Sequence, residues 1–296
     1  EDCHSFFDTL HTNIPESSNK LPDILDEVKW ETDWLLKMID TTDGSVYHKL
    51  SSLYFCGMVQ PNNDGLPRYM IGKSTAAALD FAAMTAKAYR TFIKFNNLYP
   101  GYADTLLSYS IKAYQWATKN PAVYYKNPTD VSTGSYSDTD VNDEFFWARA
   151  ELYISTGNIS YFNLLNLNAT SFNVPEWRNI GSLGLFSLVQ NINNLTLSNV
   201  DKELISNKIY TLAYTLEYIT SNNPYKVAVN QFNWGSNGYT ASQGMALFIA
   251  YKQTKNIKYL NAAVSVLDYL LGRNPTSYSY ITGFGSKTPV KIHDRR

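Results

Sequence analysis

The 296-residue sequence has little cysteine, little charge and no long apolar run. Its two cysteines, Cys3 and Cys56, are too few for a disulfide framework and lack zinc-ligand spacing, so they either pair once or stay free. Charged residues make up 17% of the chain and the net charge is −1, which gives no electrostatic reason to bind nucleic acid or an anionic membrane. No apolar run approaches the ~18 residues of a membrane span. We therefore expect neither a nucleic-acid nor a membrane partner.

Familiar catalytic and cofactor signatures are missing as well. The chain has no nucleophile elbow, P-loop, dinucleotide-binding fingerprint or His/Cys metal spacing, so we expect no organic cofactor. Aromatic residues, by contrast, are abundant at 15%, with 23 Tyr, 14 Phe and 6 Trp. Tyr and Trp combine a flat apolar body with a polar edge, which suits wet, concave surfaces that bind polar ligands. Large helical domains also bury many tyrosines, so composition alone leaves both interpretations open.

Apolar residues recur at steps of three and four along most of the chain, which predicts an all-α fold. One helix follows Pro22, with acidic residues in its first turns, where the helix dipole favours them. Another starts at Ser74, a preferred N-cap residue. Strand character is confined to Ser45–Phe55, which we interpret as one arm of a short hairpin. Further helices are predicted near residues 101–119, 142–156, 181–191, 200–221, 240–254 and 258–272.

One stretch of the sequence is echoed later in the chain. "YISTGNISYF" from Tyr153 and "YKQTKNIKYL" from Tyr251 share a pattern in which one helix ends and the next begins. Recurring helix pairs either close into a ring or stack as a solenoid. The long loops 120–141 and 222–239 favour the ring. Since no linker or charge block marks a boundary, we predict a single domain over residues 1–296.

The closing stretch "GFGSKTPVKIHDRR" could carry chemistry. Gly283, Gly285 and Pro289 end the helical periodicity, and the irregular chain after them can aim His293 and Arg295 into a cleft. Arg offers donors of fixed geometry to carboxylates, and His can donate to sugar hydroxyls or orient a carboxylate. A solvated tail would also account for these two residues.

Acidic residues crowd the start of a predicted helix in "GSYSDTDVNDEFFWARAELY". Such residues cap a helix and complement its dipole. They could also hold a structural calcium ion, which takes several oxygen ligands, although their spacing is not that of an EF-hand loop. Acid–base catalysis by a carboxylate pair is a third interpretation. The residues concerned are Asp138, Asp140, Asp143 and Glu144.

The stretch "QFNWGSNGYT" interleaves aromatic rings with amide groups and two glycines. The C–H face of a sugar ring stacks on a flat aromatic side chain while its hydroxyls form hydrogen bonds. Trp234 and Tyr239 are therefore candidate sugar-binding residues. The alternative is a loop that its own aromatic side chains hold in place.

At these motifs the sequence resembles glycoside hydrolase family 9. The closing stretch resembles that family's histidine active-site signature along its length, from Ser279 to His293-x-Arg295. The stretches "NIPESSNKLPDILDEVKWETDWLLKM", "STAAALDFAAM", "SYSDTDVNDEFFWARAELYISTG" and "WGSN" are similar to the family as well, and they occur in its order. The resemblance runs from about Ile14 to Arg295 and is to the bacterial-type branch.

The resemblance implies an (α/α)6 toroid of helical hairpins that hydrolyses β-1,4-glucosidic bonds in cellulose or related β-glucans with inversion, as a cellulase or endoglucanase. Inversion needs two carboxyl groups roughly 6.5–9.5 Å apart. In the family, the base comes from an Asp-x-x-Asp motif before the first matching stretch, and the acid is a Glu after the His-x-Arg motif. The sequence "DAGD" does not occur here. We therefore expect a domain incomplete at both ends and inactive alone.

The resemblance also assigns site residues. It implies that His293 and Arg295 contact substrate and position the reacting carboxylates. Asp294 departs from the second His of many members, at a position that the signature leaves free. For Asp143 and Glu144 it favours a structural role at the helix start. The substrate-binding candidates are His48, Arg68, Tyr136, Trp234 and Tyr239.

Two other functions stay open at this point. One is a non-catalytic, helical carbohydrate-binding or scaffold protein, and the other is an exo-acting enzyme on cello-oligosaccharides or glucosamine oligomers. The family implies a polysaccharide or oligosaccharide substrate and secretion from the cell. It also implies immunoglobulin-like or carbohydrate-binding modules in the full protein.

Overall fold

The computed structural model describes residues 3–292 of the chain, apart from the side chain of His4. Helices make up most of this part of the chain, and its strands form one two-stranded sheet, so the all-α expectation is confirmed. The chain divides into two compact units, Glu1–Leu165 and Asn166–Arg296, which are described separately. The single domain expected over residues 1–296 stays a prediction.

Helices are present wherever apolar periodicity predicts them. No helix within residues 3–292 is both long and apolar enough to cross a membrane. The helices of unit 1 are α1 His4–Phe7, α2 Asp23–Leu35, α3 Thr75–Phe92, α4 Tyr102–Lys119, α5 Asn142–Thr156 and α6 Ile159–Asn163, and its strands are β1 Tyr47–Ser51 and β2 Tyr69–Lys73. The helices of unit 2 are α7 Gly181–Asn191, α8 Asn199–Asn222, α9 Ser236–Thr254 and α10 Ile257–Leu270.

Helix α3 packs closely against α4 and α5 because its buried side is rich in alanine. Ala78, Ala82 and Ala86 have no exposed surface, and their small side chains let the neighbouring backbones approach. Ser110 on α4 donates a hydrogen bond to the Ala82 carbonyl at 2.6 Å. This bond can form only because the two helices lie close together. Ser74 accepts a hydrogen bond from the backbone N–H of Ala77 at 3.1 Å, so its predicted role as the N-cap is confirmed.

Strands β1 and β2 form an antiparallel hairpin in unit 1. Tyr47 pairs with Lys73, and Ser51 pairs with Tyr69. The hairpin arm expected within Ser45–Phe55 is therefore confirmed over the residues of β1. Because β2 ends one residue before Ser74, the hairpin is attached directly to the start of α3.

The sequence echo corresponds to a repeated joint between helices. In unit 1, Gly157 ends α5 in the left-handed conformation, and Asn158 then accepts a hydrogen bond from Ser160 N to cap α6. In unit 2, Lys255 ends α9 in the left-handed conformation, and Asn256 caps α10 in the same way. At both joints the Asn N–H also donates to the Thr hydroxyl two residues earlier, at 3.2 and 3.1 Å.

The core of unit 2 lies between α8, α9 and α10. Ile205 and Ile209 of α8 are fully buried, as is Leu247 of α9. Gly244 of α9 faces α10, and a Cβ added there would lie 3.2 Å from Val266 Cγ1. The absence of a side chain at this position therefore sets how closely the two helices pack.

Candidate functional site

His48, on β1, is held on both ring nitrogens and on one ring face. Its Nδ1 lies 2.8 Å from Ser74 Oγ, its Nε2 lies 3.0 Å from the Ser135 carbonyl oxygen, and its ring stacks on Tyr125 with centroids 4.0 Å apart. A carbonyl oxygen can only accept, so Nε2 carries the proton and the Ser74 hydroxyl donates to Nδ1. Burial lowers the pKa of His48, which favours this neutral form. The ring therefore has a fixed tautomer and orientation.

Tyr125 connects this histidine to the 120–141 loop. Its side chain is buried, and its hydroxyl donates to Asn127 Oδ1 at 2.8 Å. Another neighbour of its ring is Gly72 on β2, where an added Cβ would lie 2.6 Å from Tyr125 Cε2. Gly72 also has a φ of +61°, a conformation that residues with a side chain rarely adopt. The ring stack on His48 therefore depends on a glycine in the neighbouring strand.

Replacing Gly72 with alanine is expected to lower the free energy of unfolding by about 2–4 kcal/mol, because the new Cβ is strained at positive φ and collides with the Tyr125 ring. Urea unfolding of the chain measures this change. Gly101→Ala is the matched control, since Gly101 has a φ of +76° and nothing within 4 Å of the added Cβ. Equal losses of unfolding free energy in the two variants would show that the collision with the Tyr125 ring adds nothing to the strain at positive φ.

Tyr136 lies next to Ser135 and has a strained backbone. Its φ is +48°, an uncommon value for a bulky residue, and 66% of its surface is exposed. Its ring folds back over Gly134, where an added Cβ would lie 2.9 Å from Tyr136 Cε2. Strain of this kind persists only where the surroundings enforce it, and it is concentrated at functional sites. His48 and Tyr136 are thus brought together through the backbone of residues 134–135.

Arg68 lies at the end of the segment that joins β1 to β2. Its Nη2 is 3.7 Å from Asp64 Oδ2, and 43% of its side chain is exposed. The Asp64 side chain is only 4% exposed, whereas the Arg68 guanidinium stays in contact with solvent. As a substrate-binding residue, Arg68 stays a prediction.

Unit 2 carries the two remaining aromatic candidates. Trp234 is fully exposed on the loop before α9, and Phe232 beside it is 73% exposed. Tyr239 lies half-buried in the first turn of α9. Trp234 and Phe232 therefore present flat apolar faces on which a sugar ring could stack.

His293 and Arg295 lie outside the described residues. The segment that leads to them is tied to α10, since Tyr280 N donates to the Leu270 carbonyl at 2.7 Å. Asn274 is buried, and its side-chain amide donates to the carbonyls of Tyr269 and Tyr278, each at 2.8 Å. Ser279 N donates to the Lys287 carbonyl at 2.8 Å, which folds residues 279–287 into a compact loop.

Three carboxyl groups approach one another where α3 meets α5. Burial, followed by a hydrogen bond with Asp143, raises the pKa of Glu144. Burial and the nearby Asp143 and Asp138 raise the pKa of Asp80 to about 7. Sequence reasoning did not identify Asp80, although an acidic residue among the alanines at the start of α3 was a usable signal. Within residues 3–292 no group of three His, Cys, Asp or Glu side chains is arranged to hold a metal ion, and the calcium site stays a prediction.

Similarity to known proteins assigns the chain to a family. The family model described as glycosyl hydrolase family 9 matches residues 6–296. The chain belongs to this family. A xyloglucan-specific endo-β-1,4-glucanase of Bacteroides ovatus is 39% identical over 98% of this chain and 52% of that protein. Endoglucanase D of Acetivibrio thermocellus is 33% identical over 96% of this chain and 46% of that protein.

Solved structures agree with the family assignment. A Bacteroides ovatus family 9 structure superimposes with a TM-score of 0.89 at 37% identity, covering 96% of this chain and 55% of that one. Family 9 structures are (α/α)6 barrels, so the expected fold class of helical hairpins in a toroid is confirmed. The chain spans about half the length of the curated relatives it matches.

Proposed function

We propose that the protein containing this chain is a glycoside hydrolase that cleaves β-1,4-glucosidic bonds in cellulose or a related β-glucan with inversion of configuration. The observation that carries this proposal is the family 9 match over residues 6–296, together with relatives named endo-β-1,4-glucanases. Inversion requires two carboxyl groups with room for a water molecule between them and the sugar. One carboxylate, the base, activates this water to attack the anomeric carbon, and the other carboxyl group, the acid, protonates the leaving oxygen. His293 and Arg295 would position those groups and the substrate.

Xyloglucan is the first polymer to test as substrate. The relative that is 39% identical to this chain is named as xyloglucan-specific, whereas the one that is 33% identical is named only as an endoglucanase. A branched glucan needs a cleft with room for side-chain sugars, and exposed aromatic residues such as Trp234 and Tyr136 can stack on sugar rings.

Exo-cleavage is the second candidate. A cellulose 1,4-β-cellobiosidase of Acetivibrio thermocellus is 31% identical over 96% of this chain. Release of cellobiose alone from a β-glucan would favour this activity, and a mixture of longer fragments would favour endo-cleavage. Secretion is part of the proposal, because polymeric glucan is met outside the cell. Accessory immunoglobulin-like or carbohydrate-binding modules in the full protein are part of it as well, since the family implies them.

The test is hydrolysis of carboxymethylcellulose, xyloglucan and cello-oligosaccharides by the full-length protein. We expect turnover on at least one of them, and His293→Ala should lower kcat/KM by roughly 100-fold or more, as removal of one well-placed donor does in other hydrolases. The thermal unfolding midpoint should stay unchanged. His11→Ala, at an exposed position, is the control. Absence of turnover on all substrates would refute the proposed function, and wild-type rates in His293→Ala would refute the site.

A further inference from the structure

Lys49, the neighbour of His48 on β1, uses all three of its N–H donors on the 120–141 loop. Its Nζ donates to Asn127 Oδ1 at 3.0 Å, to Thr133 Oγ1 at 3.0 Å and to the Gly134 carbonyl at 2.8 Å. It also lies over the Tyr125 ring, 5.5 Å from the centroid. An ammonium group has three donors, so its hydrogen-bonding capacity is satisfied within the protein.

The acceptors of Lys49 are themselves cross-linked. Asn127 Nδ2 donates to the Val131 carbonyl at 3.2 Å and to the Thr133 carbonyl at 2.7 Å. Ser51, two residues beyond Lys49 on β1, donates to Thr133 Oγ1 at 2.9 Å. The ammonium therefore lies at the centre of a polar network, and loss of one member weakens the others.

This network holds a corner of the loop, residues 133–136, which we term the Gly134 corner. Two successive carbonyls of the corner are bound by two successive residues of β1, because Lys49 holds the Gly134 oxygen and His48 holds the Ser135 oxygen. The next residue is Tyr136, with its positive φ and its ring folded over Gly134. The two bonds thus fix the backbone immediately before the strained tyrosine.

We propose that Lys49 is a positioning residue for carbohydrate binding, which acts by holding the Gly134 corner so that Tyr136 presents its exposed ring to a sugar of the substrate. The inference rests on the proposed function, since it names how the same site binds its glucan. A ring that is held in place before binding loses little conformational freedom when it stacks on a sugar. The hydrogen bonds that hold the Gly134 corner therefore raise the affinity for substrate by lowering the entropic cost of binding. Lys49 itself, with its donors occupied inside the protein, makes no contact with the sugar.

The decisive experiment is a double-mutant cycle between Lys49→Met and Tyr136→Ala in the full-length protein, with cellohexaose as the probe. We expect Lys49→Met to raise KM roughly tenfold with kcat nearly unchanged, as loss of uniform substrate binding does. On the Tyr136→Ala background the same change should raise KM less than twofold, because the ring that Lys49 positions is gone. Lys49→Arg, which keeps the charge and several donors, should restore part of the affinity.

Lys73→Met is the matched control, because Lys73 lies on β2 and its ammonium donates to Asp40 Oδ2 at 2.8 Å. It should change KM by less than twofold on either background. Equal effects of Lys49→Met with and without the Tyr136 ring would overturn the proposal, as would an unchanged KM in Tyr136→Ala. If Lys49→Met does not fold, Thr133→Val removes one acceptor and should raise KM about threefold by the same route.

A second readout needs neither catalysis nor substrate. Amide hydrogen exchange at residues 133–136 of the 296-residue chain should be at least about tenfold faster in Lys49→Met than in the wild type, and unaltered in Lys73→Met. Unchanged exchange in Lys49→Met would overturn the proposal. If the full-length protein hydrolyses no glucan, the proposed function fails, and calorimetric titration with cellohexaose then replaces KM in the cycle. An absence of binding in that titration would overturn the positioning role as well.

Discussion

Replacing Arg90 with methionine is expected to lower the free energy of unfolding by about 3–5 kcal/mol, because it leaves the buried carboxylate of Glu151 without its guanidinium. Arg90 Nη2 lies 2.6 Å from Glu151 Oε2, and the Glu151 side chain has no exposed surface. Arg90 Nη1 also donates to Ser155 Oγ at 2.7 Å, so the pair joins α3 to α5. Urea unfolding of the 296-residue chain measures the loss.

Two further variants separate charge from packing. Arg90→Met combined with Glu151→Leu should recover most of the lost stability, because an apolar pair of similar volume replaces a buried ion pair at little cost. Arg273→Met removes an exposed ion pair with Asp268, at 3.6 Å, and should cost less than about 1 kcal/mol. A loss in Arg90→Met no larger than that of Arg273→Met would contradict the assignment of a buried charge pair.

Replacing Asp80 with asparagine is expected to stabilise the chain at neutral pH and to leave it nearly unchanged below pH 4. Asp80 Oδ1 is buried and has no hydrogen-bond partner among the described residues. Burial, with Asp143 and Asp138 nearby, raises the pKa of Asp80 to about 7 in the folded state, from the ordinary value of 3.8. The folded chain therefore binds this proton more tightly than the unfolded chain does.

The sign of the pH dependence follows from linkage. Below pH 4 the carboxyl is protonated in both states, so its contribution to stability is fully present. Between pH 4 and about pH 7 the unfolded chain ionises and the folded chain does not, so stability falls with rising pH. The variant should lack this fall and should exceed the wild type by roughly 2–4 kcal/mol above pH 7.

Unfolding curves from pH 3.5 to 8 in the presence of a calcium chelator test this expectation. Asp130→Asn, at an exposed loop position, is the control and should follow the wild-type pH dependence. Parallel curves for the wild type and Asp80→Asn would contradict a raised pKa at this position. Repeating the series with calcium tests the predicted cation site, because calcium bound by the cluster of Asp138, Asp140, Asp143 and Glu144 would raise the wild-type midpoint.

Helix positions could be read from the sequence because each helix buries a regular apolar face. The eight long helices expected from periodicity are present with ends that differ by no more than about four residues. Helix α9 begins about four residues earlier than expected, at Ser236, because Gly235 adopts a left-handed conformation and lets the helix start within "GSNG". A stretch rich in Gly, Ser and Asn is typical of a loop, so local composition outweighed the helical signal.

The candidate site was only partly predictable. His48 and Tyr136 could be named from motifs, but the residues that hold them, Lys49, Tyr125 and Gly72, could not. Their roles come from contacts between segments 50–90 residues apart in the chain, which leave no periodic pattern. Asp80 was missed for a related reason, since its raised pKa comes from burial and then from Asp143 and Asp138, which lie about 60 residues further along the chain.

The joints at Gly157–Asn158 and Lys255–Asn256 restrict how the chain can vary in length. Each uses the tyrosine carbonyl, the threonine hydroxyl and the asparagine side chain at fixed offsets, so one inserted residue would separate the helix end from the next cap. Insertions and deletions should therefore be rejected at these joints and tolerated in residues 223–226, which follow α8 and are mostly exposed. Changes in chain length would then arise in loops, while the joints between paired helices keep a constant length.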